Sequence, residues 1–219
     1  MADHVPPAAP AGLGGPLRLR TSLWFPIAER AARVDVLIGA AWLLVPVVGW
    51  LLNLGHRVQV VHRLQHGQPA FPGWRHPGRL LRHGLITAGA MVCYTAPGGV
   101  LLAAGLYGDS VVVAVAGGVL FTVAVAAIPG FMTHYCLAFD VAELLRPVRA
   151  LRRVAACGAG YWRAWGIALT SLAVSLLGLL AGGIGFAVTS VWFWQVAGFS
   201  FATVMSHAHR LGPARNAVD

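Results

Sequence analysis

The chain has 219 residues, of which 58% are apolar and only 11% charged, against about 45–50% and about 25% in ordinary soluble domains. So short a chain has no room for both a soluble core and this surplus of apolar side chains, which excludes an ordinary soluble domain and points to an integral membrane protein. The net charge of +9 is carried entirely by Arg, with no Lys. These Arg flank the apolar blocks, where anionic lipid headgroups sit, rather than gathering in a soluble module, so lipid and not nucleic acid is the expected partner.

Residues 1–22 read as a disordered tail. MADHVPPAAPAGLGGPL has almost no large apolar side chain to offset chain entropy, and it lacks the apolar core of a signal peptide. Residues 23–211 read as one transmembrane helical domain, followed by a short polar tail over 212–219. In 23–33, Trp24, Phe25, Ile27 and Ala31 alternate with Glu29, Arg30 and Arg33, an interfacial lead-in with Pro26 near its start.

The first apolar block, 36–54, is interrupted by Pro46 and Gly49. Its helix is expected to continue through 55–66, with His56, Gln59, Arg63 and His66 on one side and Val58, Val61 and Leu64 on the other. That pattern predicts a basic amphipathic extension on the membrane surface, with Arg57 and Arg63 at the headgroups. GQPAFPGWRHPG then breaks the helix with three prolines and three glycines. Pro69, Phe71, Pro72 and Trp74 are expected to pin this turn at the interface.

Block two, 84–106, is expected to break at Pro97-Gly98-Gly99, and block three, 111–133, at Pro129-Gly130. In 139–155, Val141, Leu144, Leu145, Val148, Leu151 and Val154 form a stripe at helical spacing. Glu143, Arg146, Arg149, Arg152 and Arg153 lie largely off it. This predicts a helix in the membrane plane, bent or restarted at Pro147. Block four, 164–189, opens on Trp162 and Trp165, and block five, 191–206, on Trp192 and Trp194, as an interfacial aromatic belt would. The fold class is all-α integral membrane protein, with about five hydrophobic helices, or four spans plus a re-entrant first element.

Orientation follows from counting Arg. The turns at 106–110 and 188–191 have none, the links 56–83 and 135–163 have five each, and the C-terminal tail has two. Both links and the C-terminus are therefore expected on the cytoplasmic side of a prokaryotic plasma membrane. Block one conflicts with this count, because Arg18, Arg20, Arg30 and Arg33 precede it and a positive link follows it. It either crosses against the rule or re-enters at Pro46, and the count of residues favours crossing.

No catalytic constellation is visible: there is no GxSxG, HExxH, phosphate loop or dinucleotide fingerprint. A non-enzymatic protein without cofactor is expected. His62 and His66 have the i, i+4 spacing of a metal pair, but no Cys, Asp or Glu in the same link completes a site. His83 and His134, at the inner ends of spans, are expected to be solvated rather than haem ligands. Asp140 and Glu143 read as helix N-terminal acids. Blocks two to five contain no Asp, Glu, Lys or Arg, which disfavours a proton-coupled pump. Tyr94, Thr95, Thr122, Thr170, Ser171, Ser175, Gln195, Ser200 and Thr203 are polar at depth and are expected to bond between helices. The GxxxG of Gly178 and Gly182 is expected at a close helix contact. Pro46, Pro97, Pro129, Gly130 and Gln195 mark candidate helix breaks or, in an alternative reading, a solute pathway.

The run FPIAERAARVDVLIGAAWLLVP, then HGQPAFPGW, YTAPGG and AIPG followed by GGIG, resembles the bacterial and archaeal membrane family catalogued as domain of unknown function 4013. The likeness covers about residues 25–210. Members often have Gly-Tyr where this chain has Gly55-His56. The resemblance implies a helical bundle of about five or six segments and brings no activity and no catalytic residues. The leading expectation is an accessory or scaffold subunit of a membrane assembly, pairing with a membrane protein or with itself. A small permease for an uncharged solute is the alternative, and a haem- or metal-bearing enzyme subunit a third.

Overall fold

A computed structural model describes residue 13 and residues 15–209. Of the tail expected over 1–22, residues 1–12 and 14 lie outside the described residues, as does the tail expected over 212–219. All regular structure among the described residues is helical: α1 Leu19–Trp24, α2 Arg30–Trp42, α3 Val48–Gln65, α4 Pro77–Tyr107, α5 Val111–Ala138, α6 Val141–Leu144, α7 Pro147–Cys157, α8 Ala159–Leu177 and α9 Ile184–His209. Helix α1 thus begins inside the stretch read as tail. Among the described residues, four segments are long and apolar enough to cross a membrane: Pro77–Tyr107, Val111–Ala138, Ala159–Ala181 and Ile184–Ser206. The protein is a multi-pass helical membrane protein.

The first apolar block does not form one helix. The chain turns back over 43–47, and α2 and α3 pair as an antiparallel hairpin. Asn53 Nδ2 donates to Gly39 O at 2.9 Å and to Gly49 O at 2.8 Å, and a Cβ on Gly49 would sit 1.7 Å from Trp42 O. Pro46 cannot continue a helix, and Val47 takes φ 65°, a strained value for a β-branched residue. The tip is apolar and exposed, with Leu44 at 74% and Val47 at 69%. Both hairpin ends lie on one side, so the Arg on either flank of the block share that side. The single crossing favoured by the length of the block is corrected to a hairpin.

Two predicted breaks are absent. Helices α4 and α5 run unbroken through Pro97 and Pro129. A proline removes one donor, and neighbouring helices at depth tolerate that loss. The turn before the last helix falls at Gly182-Gly183, with φ of 65° and 81°, not at 188–191. Only glycine adopts these angles freely, and the surrounding apolar run hides the turn. Trp192 and Trp194 therefore lie well inside α9 and not at its start.

The close helix contacts differ from the expected GxxxG. A Cβ at Gly55 would lie 1.8 Å from Leu80 O, and one at Gly84 2.0 Å from Leu51 O, so α3 and α4 touch backbone to backbone. Gly98, Gly105 and Gly117 do the same between α4 and α5. Gly178 meets Gly185 across the last turn, whereas Gly182 touches nothing and serves the turn. The hydroxyls at depth mostly bond within their own helix, as Thr95 to Met91 O, Thr122 to Gly118 O and Ser200 to Val196 O. Thr189 to Ser175 O and Gln195 to His56 do join two helices.

Candidate functional site

Helix α3 is the central helix of the bundle. From residue 51 to residue 61 every side chain is buried, so the surface extension expected over 55–66 is corrected to a core element. Its apolar and polar faces are both covered, by α2, α4, α5 and α9. Three polar arrangements follow from its position.

The first is a buried clamp. His56 is fully buried and Asp35 is 4% exposed. His56 Nε2 donates to Asp35 Oδ2 at 3.0 Å, and Gly73 N donates to the same oxygen at 3.1 Å. Trp74 Nε1 donates to Asp35 O at 3.0 Å, and its ring stacks on His56 with centroids 4.4 Å apart at 3°. Gln195 Nε2 faces His56 Nδ1 at 3.2 Å. The tautomer protonated on Nε2 satisfies both imidazole contacts. One His thus ties α2, α3, the turn after it and α9. Among the described residues the two imidazole nitrogens are engaged by Asp35 and Gln195, with no hydroxyl or thiol bonded to the ring. Trp74 and Phe71, expected at the interface, point inward: Phe71 packs on Phe25, which stacks on Phe199.

The second is a basic cleft of about 490 Å³ between the C-terminal ends of α3 and α5 and the start of α4. Arg63, Arg79, Arg82, His62 and His83 line it, and no Asp or Glu does. Its back wall is Phe139, held at φ 55° by its N–H on Tyr135 O. That left-handed residue turns its ring between His62 and His83, each 4.3 Å away. His62 Nδ1 donates to Cys136 O at 2.7 Å, fixing α3 to α5, and His83 bonds Tyr135 Oη at 2.8 Å. Burial pushes the His62 imidazole below its ordinary value of 6.5, so the three Arg carry the cleft's charge at neutral pH.

The third is Arg57, expected at the headgroups but only 8% exposed. Its guanidinium lies over the Trp194 ring at 4.6 Å. It forms part of the wall of an apolar cavity of about 200 Å³ that Pro129 and Trp165 also line. No family model, curated protein or solved structure matches the chain.

The remaining candidates are dispersed. Pro129 lines the cavity, Gln195 is engaged by His56, Gly98 after Pro97 packs on the Phe121 backbone, and Pro46 caps the hairpin, so the residues of the conceived pathway do not meet. Gly130 gives α7 its approach, with Val154 Cγ2 3.0 Å from where a Cβ would be. Trp162 is exposed at the start of α8, and Trp192 Nε1 donates to Leu23 O at 3.0 Å. His62 and His66 rings lie 4.2 Å apart, but no three of His, Cys, Asp and Glu converge among the described residues.

The short helix α6 and the amphipathic α7 restart at Pro147 as the sequence predicts. Asp140 caps α6, accepting from Ala142 N at 2.9 Å. Glu143 does something else. It accepts from Arg146 and Arg149 at 3.0 Å and from Arg153, and His134 lies 3.9 Å away. Arg152 is exposed. The Arg153 hydrogen bond, more than any other contact, holds the Glu143 carboxyl at about 2, against an ordinary 4.5. The folded value is depressed, so the stabilisation is present above the ordinary value and fades as pH falls toward the folded one. Glu143→Gln is expected to lower stability by about 1 kcal/mol, a modest figure because two of the Arg are half exposed and screened. Melting curves of both proteins in detergent should show that gap at pH above about 5 and a shrinking gap toward pH 2. A gap that is constant with pH would remove the role given to the carboxylate.

Proposed function

We propose that the protein is a non-enzymatic subunit of a prokaryotic plasma-membrane assembly, anchored in register by anionic lipid. The basic cleft carries this reading: three Arg without an acidic neighbour, at the bundle end where the hairpin termini and the α6–α7 platform also lie. A phosphodiester headgroup matches guanidinium geometry and charge, and Arg-rich pockets at the inner leaflet suit anionic lipids. In this reading the α2–α3 hairpin enters the bilayer from the cytoplasmic side and returns, with its apolar tip in lipid. The links 56–83 and 135–163 and the C-terminus then all face the cytoplasm. The resemblance to family 4013, carried by the sequence runs HGQPAFPGW, YTAPGG and AIPG with GGIG, assigns no role of its own.

Purification from the native membrane in mild detergent, with protein and lipid mass spectrometry on the same sample, tests it. A stoichiometric partner protein and enrichment of phosphatidylglycerol or cardiolipin are expected. In the Arg63→Ala, Arg79→Ala, Arg82→Ala triple variant the anionic lipid should fall to its bulk proportion, because each phosphate contact contributes about 1 kcal/mol. A lone protein carrying bulk lipid in both forms would refute the reading.

A further inference from the structure

Arg57 is a buried cation without a counter-ion. Its Nη2 donates to Met132 Sδ at 3.1 Å, and the Trp194 face lies beneath it. A thioether is a weak acceptor, and among the described residues no carboxylate pairs with this guanidinium. Asp35, the acid nearest in sequence, is engaged by His56 and Gly73. A charge buried in apolar surroundings is costly unless it is paired, and in membrane proteins such groups mark ligand or ion sites.

The cavity beside Arg57 is well beyond the size of a single water. It offers about 200 Å³, whereas one water needs roughly 10–15 Å³ on the same measure. Its walls are apolar, formed by Ile128 and Pro129 of α5, Ala168 of α8, and Phe193 and Phe201 of α9. Helices α5 and α8 are joined through the Tyr161 hydroxyl on Ala126 O but do not otherwise pack together along their length. Lining residues on both α5 and α8 place the cavity between these two helices.

We propose that this cavity binds a single-chain amphiphile with a carboxylate head, a long-chain fatty acid. The carboxylate would take the fork of Arg57 bidentately and displace the weak Met132 contact. The alkyl chain would lie along the α5, α8 and α9 walls. One guanidinium balances one negative charge, and the space suits one chain rather than two. This site is separate from the basic cleft: Arg57 does not line the cleft, and no Arg of the cleft lines this cavity.

The test uses delipidated full-length protein in detergent, titrated with 9,10-dibromostearate and with its methyl ester. Bromine quenches nearby indole emission, and Trp165 and Trp194 line the cavity. Saturable quenching by the acid is expected, lost in the Trp165→Phe, Trp194→Phe double variant. The ester should bind about ten- to a hundredfold more weakly, the value of one charge-assisted hydrogen bond. Arg57→Met should bind acid and ester alike. Equal binding of acid and ester by the wild-type protein would overturn the proposal, and this comparison needs no variant to fold. So would displacement of the bromo acid by phosphatidylglycerol but not by palmitate, which would assign the guanidinium to a phospholipid headgroup.

Discussion

Asp35→Ala is expected to be among the most destabilising single substitutions in this protein, at about 3–5 kcal/mol. The carboxylate has two donors on one oxygen, His56 Nε2 and Gly73 N. Removing it leaves an imidazole N–H and a backbone N–H without partners where water does not reach. A buried donor left unsatisfied costs its full desolvation. The loss also frees the turn that places Trp74 on His56 and thereby loosens α2 from α3. For a chain of this size the drop corresponds to roughly 10 °C in melting temperature. Asp35→Asn should lose less, because an amide oxygen in the place of Oδ2 still accepts both bonds and lacks only the charge. Thermal melts in detergent of wild type, Asn and Ala variants decide it: an Ala variant melting within a degree of wild type would show that the clamp stabilises nothing.

Gly84→Val is expected to prevent native packing of α3 on α4. The new Cβ would stand 2.0 Å from the Leu51 carbonyl oxygen, and the mirror contact puts a Gly55 Cβ 1.8 Å from Leu80 O. Both obstacles are backbone, so no rotamer change makes room and the helices must move apart. Overpacking of flexible cores costs about 1–3 kcal/mol; here the cost is greater, since α3 is held by four neighbouring helices. Gly89→Ala is the control. It lies on the same helix with nothing within 4 Å, and alanine there gains helix propensity of up to about 1 kcal/mol. Monodispersity on size exclusion and unfolding in increasing SDS should separate the two variants clearly. Wild-type behaviour of Gly84→Val would contradict the backbone contact.

The spans were legible because a charge-free run of bilayer length is rarely stable anywhere but in lipid, and the Arg count placed the polar ends of the bundle together. The polar core was not legible from local pattern. Asp35 and His56 lie on either side of Pro46 at nearly equal distance in sequence, as do Gly39 and Asn53. Those pairs become visible only once Pro46 is read as the tip of a hairpin. Arg57 and Arg63 looked equivalent along one helix. Helix periodicity says which residues share a face, but not which face the rest of the fold covers, and α9 and α5 cover that of Arg57. Pro97 and Pro129 misled because a proline in a lipid-embedded helix loses one hydrogen bond without ending the helix. The turn at Gly182-Gly183 was hidden because the apolar run continues through it, with no polar side chain between 176 and 188.

The α2–α3 hairpin and the segment leading into it are sealed by α9, far along the chain. Leu23 O awaits Trp192, Phe25 awaits Phe199, and His56 awaits Gln195, across 169 positions in the first case and 139 in the last. During synthesis the hairpin therefore emerges before α9, with His56 lacking its final cover while α4, α5 and α8 are made. A chain stalled before α9 would leave α3 packed on α4, with Leu23 O, Phe25 and His56 still without their α9 partners.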